Sequence, residues 1–216
     1  MRINKYLADK KISTRRDADE LIKEKKVFIN GKLAILGNQV NENDTVEVRG
    51  VKEKKYLYFA YNKPIGIETN SPREDLFSLG RLDKNSHGLL ILTNDGRITD
   101  QLLNPKYFHE KEYVVRTKEK LRSSFKAKIE VGVNIEGYIT KPCKVKILNE
   151  NTFGVILTEG KKHQIRRMCS ALFQEVADLK RERIMNIKLG NLKPSALREI
   201  KGEELAIFLN QVLHQS

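Results

Sequence analysis

Four consecutive apolar residues, Leu89-Leu90-Ile91-Leu92, stand between two glycine-bearing turns, at Gly88 and at Asn94-Asp95-Gly96. A short apolar run closed by turn residues at both ends reads as a buried strand. Just upstream lies Gly80-Arg81-Leu82-Asp83, and five residues separate Asp83 from the run. The carboxylate therefore falls on a loop that leads into a buried strand, and loops carried by a rigid scaffold are where catalytic groups are commonly held. Position alone leaves Asp83 an ordinary loop acid.

Residues 1–50 read as a separable unit. Ile3 and Leu7 share one helical face, and Ser13 or Thr14 is placed to cap a second helix that turns Ala18, Leu21 and Ile22 to one side. Val27-Phe28-Ile29 reads as a strand turned by Asn30-Gly31, with a further β segment at 45–48. A polar linker, 51–55, follows, and residues 56–216 form the larger unit. There Tyr56–Tyr61 reads as a buried strand ending at Pro64 and Gly66. Strand-like runs recur at 89–92, 112–116, 143–148 and 153–158, and helical patterns fit 97–103, 121–130, 164–174 and 202–213. Strands and helices intermix without strict alternation, so the class is α+β with a mixed sheet.

The formal net charge is +13 and the pI about 9.6, which points to a polyanionic partner. Residues 1–32 hold ten Lys/Arg against five Asp/Glu, and residues 161–193 hold nine against three. No apolar run approaches the ~20 residues of a membrane span, so no membrane partner is expected, and MRINKYLADK has no apolar signal region. Cys143 and Cys169 are too few and too far apart for a disulfide framework or a zinc site. The expectation is a cytoplasmic protein with reduced thiols, acting as a monomer.

GRLD-x-x-S-x-GL-x-x-LTNDG at 80–96 resembles the central motif of the bacterial ribosomal RNA pseudouridine synthases of the RsuA/RluB/RluE/RluF family. Asn62-Lys63-Pro64-x-Gly66 resembles the family's first motif. Glu110-Lys111-Glu112-Tyr113 resembles the segment that carries its tyrosine, and Glu159-Gly160 with His163–Met168 resembles its third motif. The order of motifs is also the family's, and the resemblance covers essentially the whole chain. Residues 1–50 resemble the RNA-binding domain first described in ribosomal protein S4. The implied architecture is that small domain followed by a catalytic domain with a mixed, largely antiparallel sheet flanked by helices.

The resemblance implies Asp83 as nucleophile, Tyr113 as the active-site tyrosine and Arg166 as a guanidinium paired with Asp83. Detaching uracil, rotating it and rejoining it through carbon 5 involves no redox change or phosphate transfer, so no cofactor and no metal are expected. An arginine beside the acid would lower its pKa and orient it through a bidentate fork. Arg2, Lys5, Arg15, Arg16, Lys26, Arg81 and Arg167 are the candidates for RNA contact, each of which is otherwise a solvated surface charge. Cys169 reads as a buried, inert thiol.

Segments 109–113, 140–146 and 180–187 resemble the RluF type, whose substrate is large-subunit rRNA near the peptidyl transferase centre. The expected partner is 23S rRNA, free or in an assembly intermediate. His87, Asn85 and a short 67–79 connection depart from the family's pattern and bear on substrate choice. The same chemistry on 16S rRNA or tRNA, and a non-catalytic ribosome-associated RNA-binding protein, are the alternatives.

Overall fold

The computed structural model describes residues 1–10, 12–50 and 55–213, so most of the expected linker, residues 51–54, lies outside the described residues. Two compact units emerge: Met1–Tyr56 with Asp95–Thr99, and Leu57–Asn94 with Asp100–Ser216.

In the first unit α1 (Ile3–Asp9) buries Ile3 and Leu7, four residues apart on one face. Thr14 rather than Ser13 caps α2 (Arg15–Lys23), its Oγ1 accepting the Asp17 N–H at 3.0 Å. β1 (Val27–Ile29) turns into β2 (Lys32–Leu33) through Asn30-Gly31, both at positive φ, as a two-residue hairpin of that hand requires. β3 (Val46–Val48) flanks β1 on its other side. Ile3, Leu7, Ala18, Ile22, Val27, Ala34 and Val40 make one apolar core.

The second unit runs β4 (Tyr58–Lys63), β5 (Phe77–Leu79), β6 (His87–Thr93), α3 (Thr99–Leu103), β7 (Lys111–Thr117), α4 (Phe125–Glu130), β8 (Asn134–Ile135), β9 (Tyr138–Ile139), β10 (Lys144–Asn149), β11 (Thr152–Leu157), α5 (Gln164–Ala171), β12 (Val176–Ile184), β13 (Ile187–Lys188), β14 (Leu197–Glu199) and α6 (Gly202–Leu213). Its main sheet has the order β10-β11-β7-β12-β6-β4-β14, with β13 on β12 and β5 on β6. β12 and β6 run parallel and the other pairs antiparallel, so the α+β class with a mixed, largely antiparallel sheet is what forms. Phe125 and Ile129 of α4 and Ile165, Met168 and Cys169 of α5 share the core with Val115, Phe153 and Val155 of the sheet. Leu89, Leu90, Ile91 and Leu92 are fully buried on β6, as their apolar run demands.

Two helical patterns and one strand differ from the sequence reading. The helical pattern at 121–130 forms only from Phe125, and that at 97–103 divides into a 3-10 turn and α3. More important, the longest strand of the sheet, β12, carries Asp178, Lys180, Arg181, Glu182 and Arg183 and does not look like a buried strand in one dimension. Pairing neutralises most of those charges: Lys180 with Glu182 at 2.7 Å, and Arg183 with Glu110 and Glu112 at 2.9 and 2.7 Å.

Candidate active site

The loop carrying Asp83 connects β5 to β6 and is pinned on both sides. Thr69 clamps the residue before the acid, its Oγ1 accepting the Leu82 N–H at 2.9 Å and donating to the Leu82 carbonyl at 2.6 Å. Behind it the Ser86 N–H donates to the Asp83 carbonyl at 2.9 Å, and the Gly66 N–H donates to that of Lys84 at 2.9 Å. Lys63, fully buried at the end of β4, donates from Nζ to the Pro64 and Ser86 carbonyls at 2.9 and 2.7 Å. The first motif thus acts as a strut under the Asp83 loop. Burial pulls the Lys63 ammonium below the usual lysine range, and the negative charge of Asp83 works against that shift.

Gly88 answers a packing demand in the same region. At φ +102° it lies against the parallel strand β12, where a Cβ would fall 2.4 Å from the Arg181 carbonyl oxygen. Only glycine permits both the conformation and the approach.

Asp83 opens onto a cavity of about 630 Å³ that Tyr113 also lines. Tyr113 is buried at the middle of β7, opposite Val155 of β11 and Arg181 of β12. The carboxylate meets a histidine first: His163 Nδ1 lies 3.0 Å from Asp83 Oδ2. His163, in the left-handed region at φ +52°, is the residue before α5. Its loop is organised by buried Glu159, whose carboxylate accepts from the Tyr138 hydroxyl at 2.5 Å, the Lys141 N–H at 2.9 Å and Gln164 Nε2 at 2.7 Å.

The expected pair between Arg166 and Asp83 is not formed. One turn into α5, Arg166 reaches the far side of the loop and donates from Nη2 to the Asn85 carbonyl at 2.7 Å and to Ser86 Oγ at 3.4 Å, and from Nη1 to the Val176 carbonyl at 3.3 Å. It holds the loop that holds the acid. Arg167 departs from expectation too. Its Nη2 donates to the Ile135 carbonyl at 2.9 Å and to Glu136 Oε2 at 2.8 Å, so it braces the β8–β9 turn and is not a free cation for phosphate.

Among the other candidates, Arg81 is exposed at the cavity. Arg2, Lys5, Arg15 and Arg16 are exposed on the first unit, whereas Lys26 is half-buried and paired with Glu24 at 2.7 Å. His87 pairs with Asp178 at 3.0 Å, joining β6 to β12. Burial pushes the thiols of Cys143 and Cys169 up to about 11 and about 12, which leaves both protonated and unreactive at neutral pH.

Two residues of the cavity wall, Lys111 and Arg181, are absent from the candidates that the sequence suggests. The signal for Lys111 is the strand's own period: two residues before Tyr113 on the same strand, it must share the tyrosine's face. Arg181 has no comparable signal, because its strand does not read as one in one dimension.

Comparisons with known proteins give the family. Residues 57–171 match the family model described as RNA pseudouridylate synthase, and residues 1–46 match that of the S4 domain. The chain is 37% identical over 223 residues to the dual-specificity RNA pseudouridine synthase RluF of Escherichia coli K12, covering 95% of this chain and 77% of that protein. It is 35% identical over 229 residues to the ribosomal large subunit pseudouridine synthase B of Bacillus subtilis, covering 94% and 93% of the two. A crystal structure of a pseudouridylate synthase superposes with a TM-score of 0.71 at 28% identity, over 95% of this chain and 98% of that one. With this sheet and these relatives, the chain belongs to the RNA pseudouridine synthase family, among its RluF-like members with an N-terminal S4 domain.

Proposed function

We propose that Asp83 is the nucleophile and that the substrate is a uridine of 23S rRNA near the peptidyl transferase centre. What carries the first part is the position of the acid, on a loop whose backbone is pinned fore and aft by Thr69, Ser86 and Lys63 and which sets Asp83 at the wall of a cavity large enough for one nucleotide. The target uridine leaves its stack, at a cost of a few kcal/mol that is smallest in loops and bulges. Tyr113 stacks on the extruded base and keeps its hydroxyl available for proton transfer. Asp83 attacks the ribose or the base, and its ionised form is the reactive one. Arg166 works at one remove, as a positioning residue through Asn85 and Ser86.

Arg81 at the cavity and Arg2, Lys5, Arg15 and Arg16 on residues 1–50 take the flanking phosphates. The 23S assignment rests on the RluF-like segments and on the relatives' names. A second RNA class is favoured by the "dual-specificity" in the name of RluF. The enzyme is read as a cytoplasmic monomer that meets its rRNA before the large subunit is complete.

Incubation with free 23S rRNA, free 16S rRNA, tRNA and mature large subunits, followed by pseudouridine mapping, tests the substrate. Modification of free 23S rRNA at one uridine, or two close together, is expected. Modification confined to 16S rRNA or tRNA would overturn the 23S assignment and leave the chemistry standing.

A further inference from the structure

Two cations at the inner wall of the cavity lack a counterion among the described residues. Lys111 and Tyr113, two apart on β7, leave the same face of the sheet, and Arg181 faces Tyr113 from β12. All three line the cavity. Arg181 is 3% exposed. Its Nε donates to the Leu89 carbonyl at 2.7 Å and its Nη1 to that of Arg81 at 3.4 Å, while its buried Nη2 has no partner among the described residues. Lys111 likewise forms no ion pair or side-chain hydrogen bond among the described residues.

The cavity's carboxylates are committed elsewhere, Asp83 to His163 and Glu159 to Tyr138 and Gln164, and Glu68 is exposed. Burying unpaired charge is unfavourable. Burial draws the Lys111 ammonium down to about 8, with Arg181 pushing the same way. A pair of adjacent, uncompensated cations facing a cavity is organised for an anion.

We propose that Lys111 and Arg181 hold the negative charge of the detached uracil. This deepens the Asp83 reading and rests on it. When the bond from C1′ to N1 breaks, its electron pair goes to N1 and spreads over the ring and its two carbonyl oxygens. The electron-poor C1′ is captured by the Asp83 carboxylate as a C1′–O bond. After rotation the ring attacks C1′ through C5, the carboxylate departs with its electron pair, the C5 proton is lost and N1 gains one. Between the two bond exchanges the base is an anion, and preorganised cations in a site shielded from water stabilise such charge strongly.

The alternative anion, a phosphate, stays in the continuous strand and suits exposed Arg81, Lys84, Lys161 and Lys162 better than buried Arg181.

The test uses the full chain with Lys111→Met and Lys111→Arg, on the RNA that the wild type modifies. Single-turnover rate at saturating RNA, RNA affinity and thermal midpoint are measured. Lys111→Met is expected to lower the rate by about 10²-fold, with affinity within about 2-fold and a midpoint equal to or above the wild type's, since a half-buried cation without a counterion has gone. A purely structural role would instead lower the midpoint.

The wild-type rate should fall as pH rises through about 8, where Lys111 loses its proton. Lys111→Arg should keep most of the rate and remove that fall. Asp83, Tyr113, Glu159, His163, Arg181 and nearby His109 also face this region, and of these the arginine variant changes none. A Lys111→Met enzyme with the wild-type rate, a loss confined to affinity, or a Lys111→Arg profile that falls with the wild type's would overturn the proposal. If Asp83→Asn is inactive while Lys111→Met is normal, only this inference fails. If the wild type modifies none of the RNAs, both readings fall.

Discussion

The cations of the first unit that are proposed to face RNA and those that hold or line the site of the second are carried in opposite ways. In the first, Arg2, Lys5, Arg15 and Arg16 stand exposed, with no ion pair among the described residues. In the second, two cations serve the site from within: Lys63 under the Asp83 loop at 0% exposure and Arg181 in the cavity wall at 3%. An exposed cation contributes to RNA binding through counterion release and is screened by salt. A buried one is held by protein carbonyls, feels little salt and acts on geometry or on charge that develops during reaction. A net charge of +13 therefore describes two different devices, and only the first is what composition alone suggests.

Asp83→Asn should produce the largest effect and sharpen the contrast. It keeps the shape of the loop and a hydrogen bond to His163 but removes the nucleophile. Tritium release from RNA labelled at uracil C5 should fall by at least about 10³-fold, while RNA affinity and its salt dependence stay at wild-type values. Substantial turnover by this variant would remove Asp83 from the mechanism.

Lys63→Met comes next. It deletes the two hydrogen bonds that tie the Pro64 turn and Ser86 to the Asp83 loop. A misplacement of about 1 Å can cost a factor of about 10² in rate, and that is the expected loss. The slope of log affinity against log salt should not move, because Lys63 never meets a phosphate. A change in that slope would break the division between buried and exposed cations.

Arg166→Lys should cost about tenfold in rate, because an ammonium cannot reproduce the fork that spans Asn85, Ser86 and Val176. Arg167→Lys should leave the rate near wild type and show itself in thermal stability, since Arg167 braces the β8–β9 turn. If the Arg167 variant proves the slower enzyme, the structural assignment of these neighbours is reversed.

How much of this is legible in the sequence follows from what each residue answers to. The β6 strand and the Asp83 loop are readable because burial, turns and a motif all act locally there. The first unit is readable for the same reason, down to its Asn30-Gly31 hairpin. β12 is not, because its string of charges looks solvated, and one of them, Arg183, is balanced by partners about seventy residues away, Glu110 and Glu112, which no local pattern reveals. The direction of Arg166 is equally hidden, because the motif gives the residue and not where its side chain goes. Helix α5 begins at Gln164, so it is His163 that meets the carboxylate and Arg166 that grips the loop behind it. Lys111 needs only the period of two, counted from Tyr113.

The smallest expected effect belongs to the first unit. Arg15 and Arg16 open α2, exposed and without ion pairs among the described residues. Replacing both with alanine leaves Ala18 and Ile22 in the core and the Thr14 cap in place, so folding should be unaffected. Each arginine that neutralises a phosphate should flatten the salt slope by roughly 0.7–0.9 when it is removed. The pair would then change it by up to about 1.4–1.8 if both side chains reach the backbone. Affinity should weaken most at low salt and converge with the wild type's at high salt, while the rate on saturating RNA stays the same. That pattern, affinity without rate, is the mirror image of the one expected for Lys63→Met. An Arg15→Ala/Arg16→Ala enzyme with the wild-type slope would mean that α2 does not touch RNA and that the basic surplus of the first 32 residues serves some other purpose.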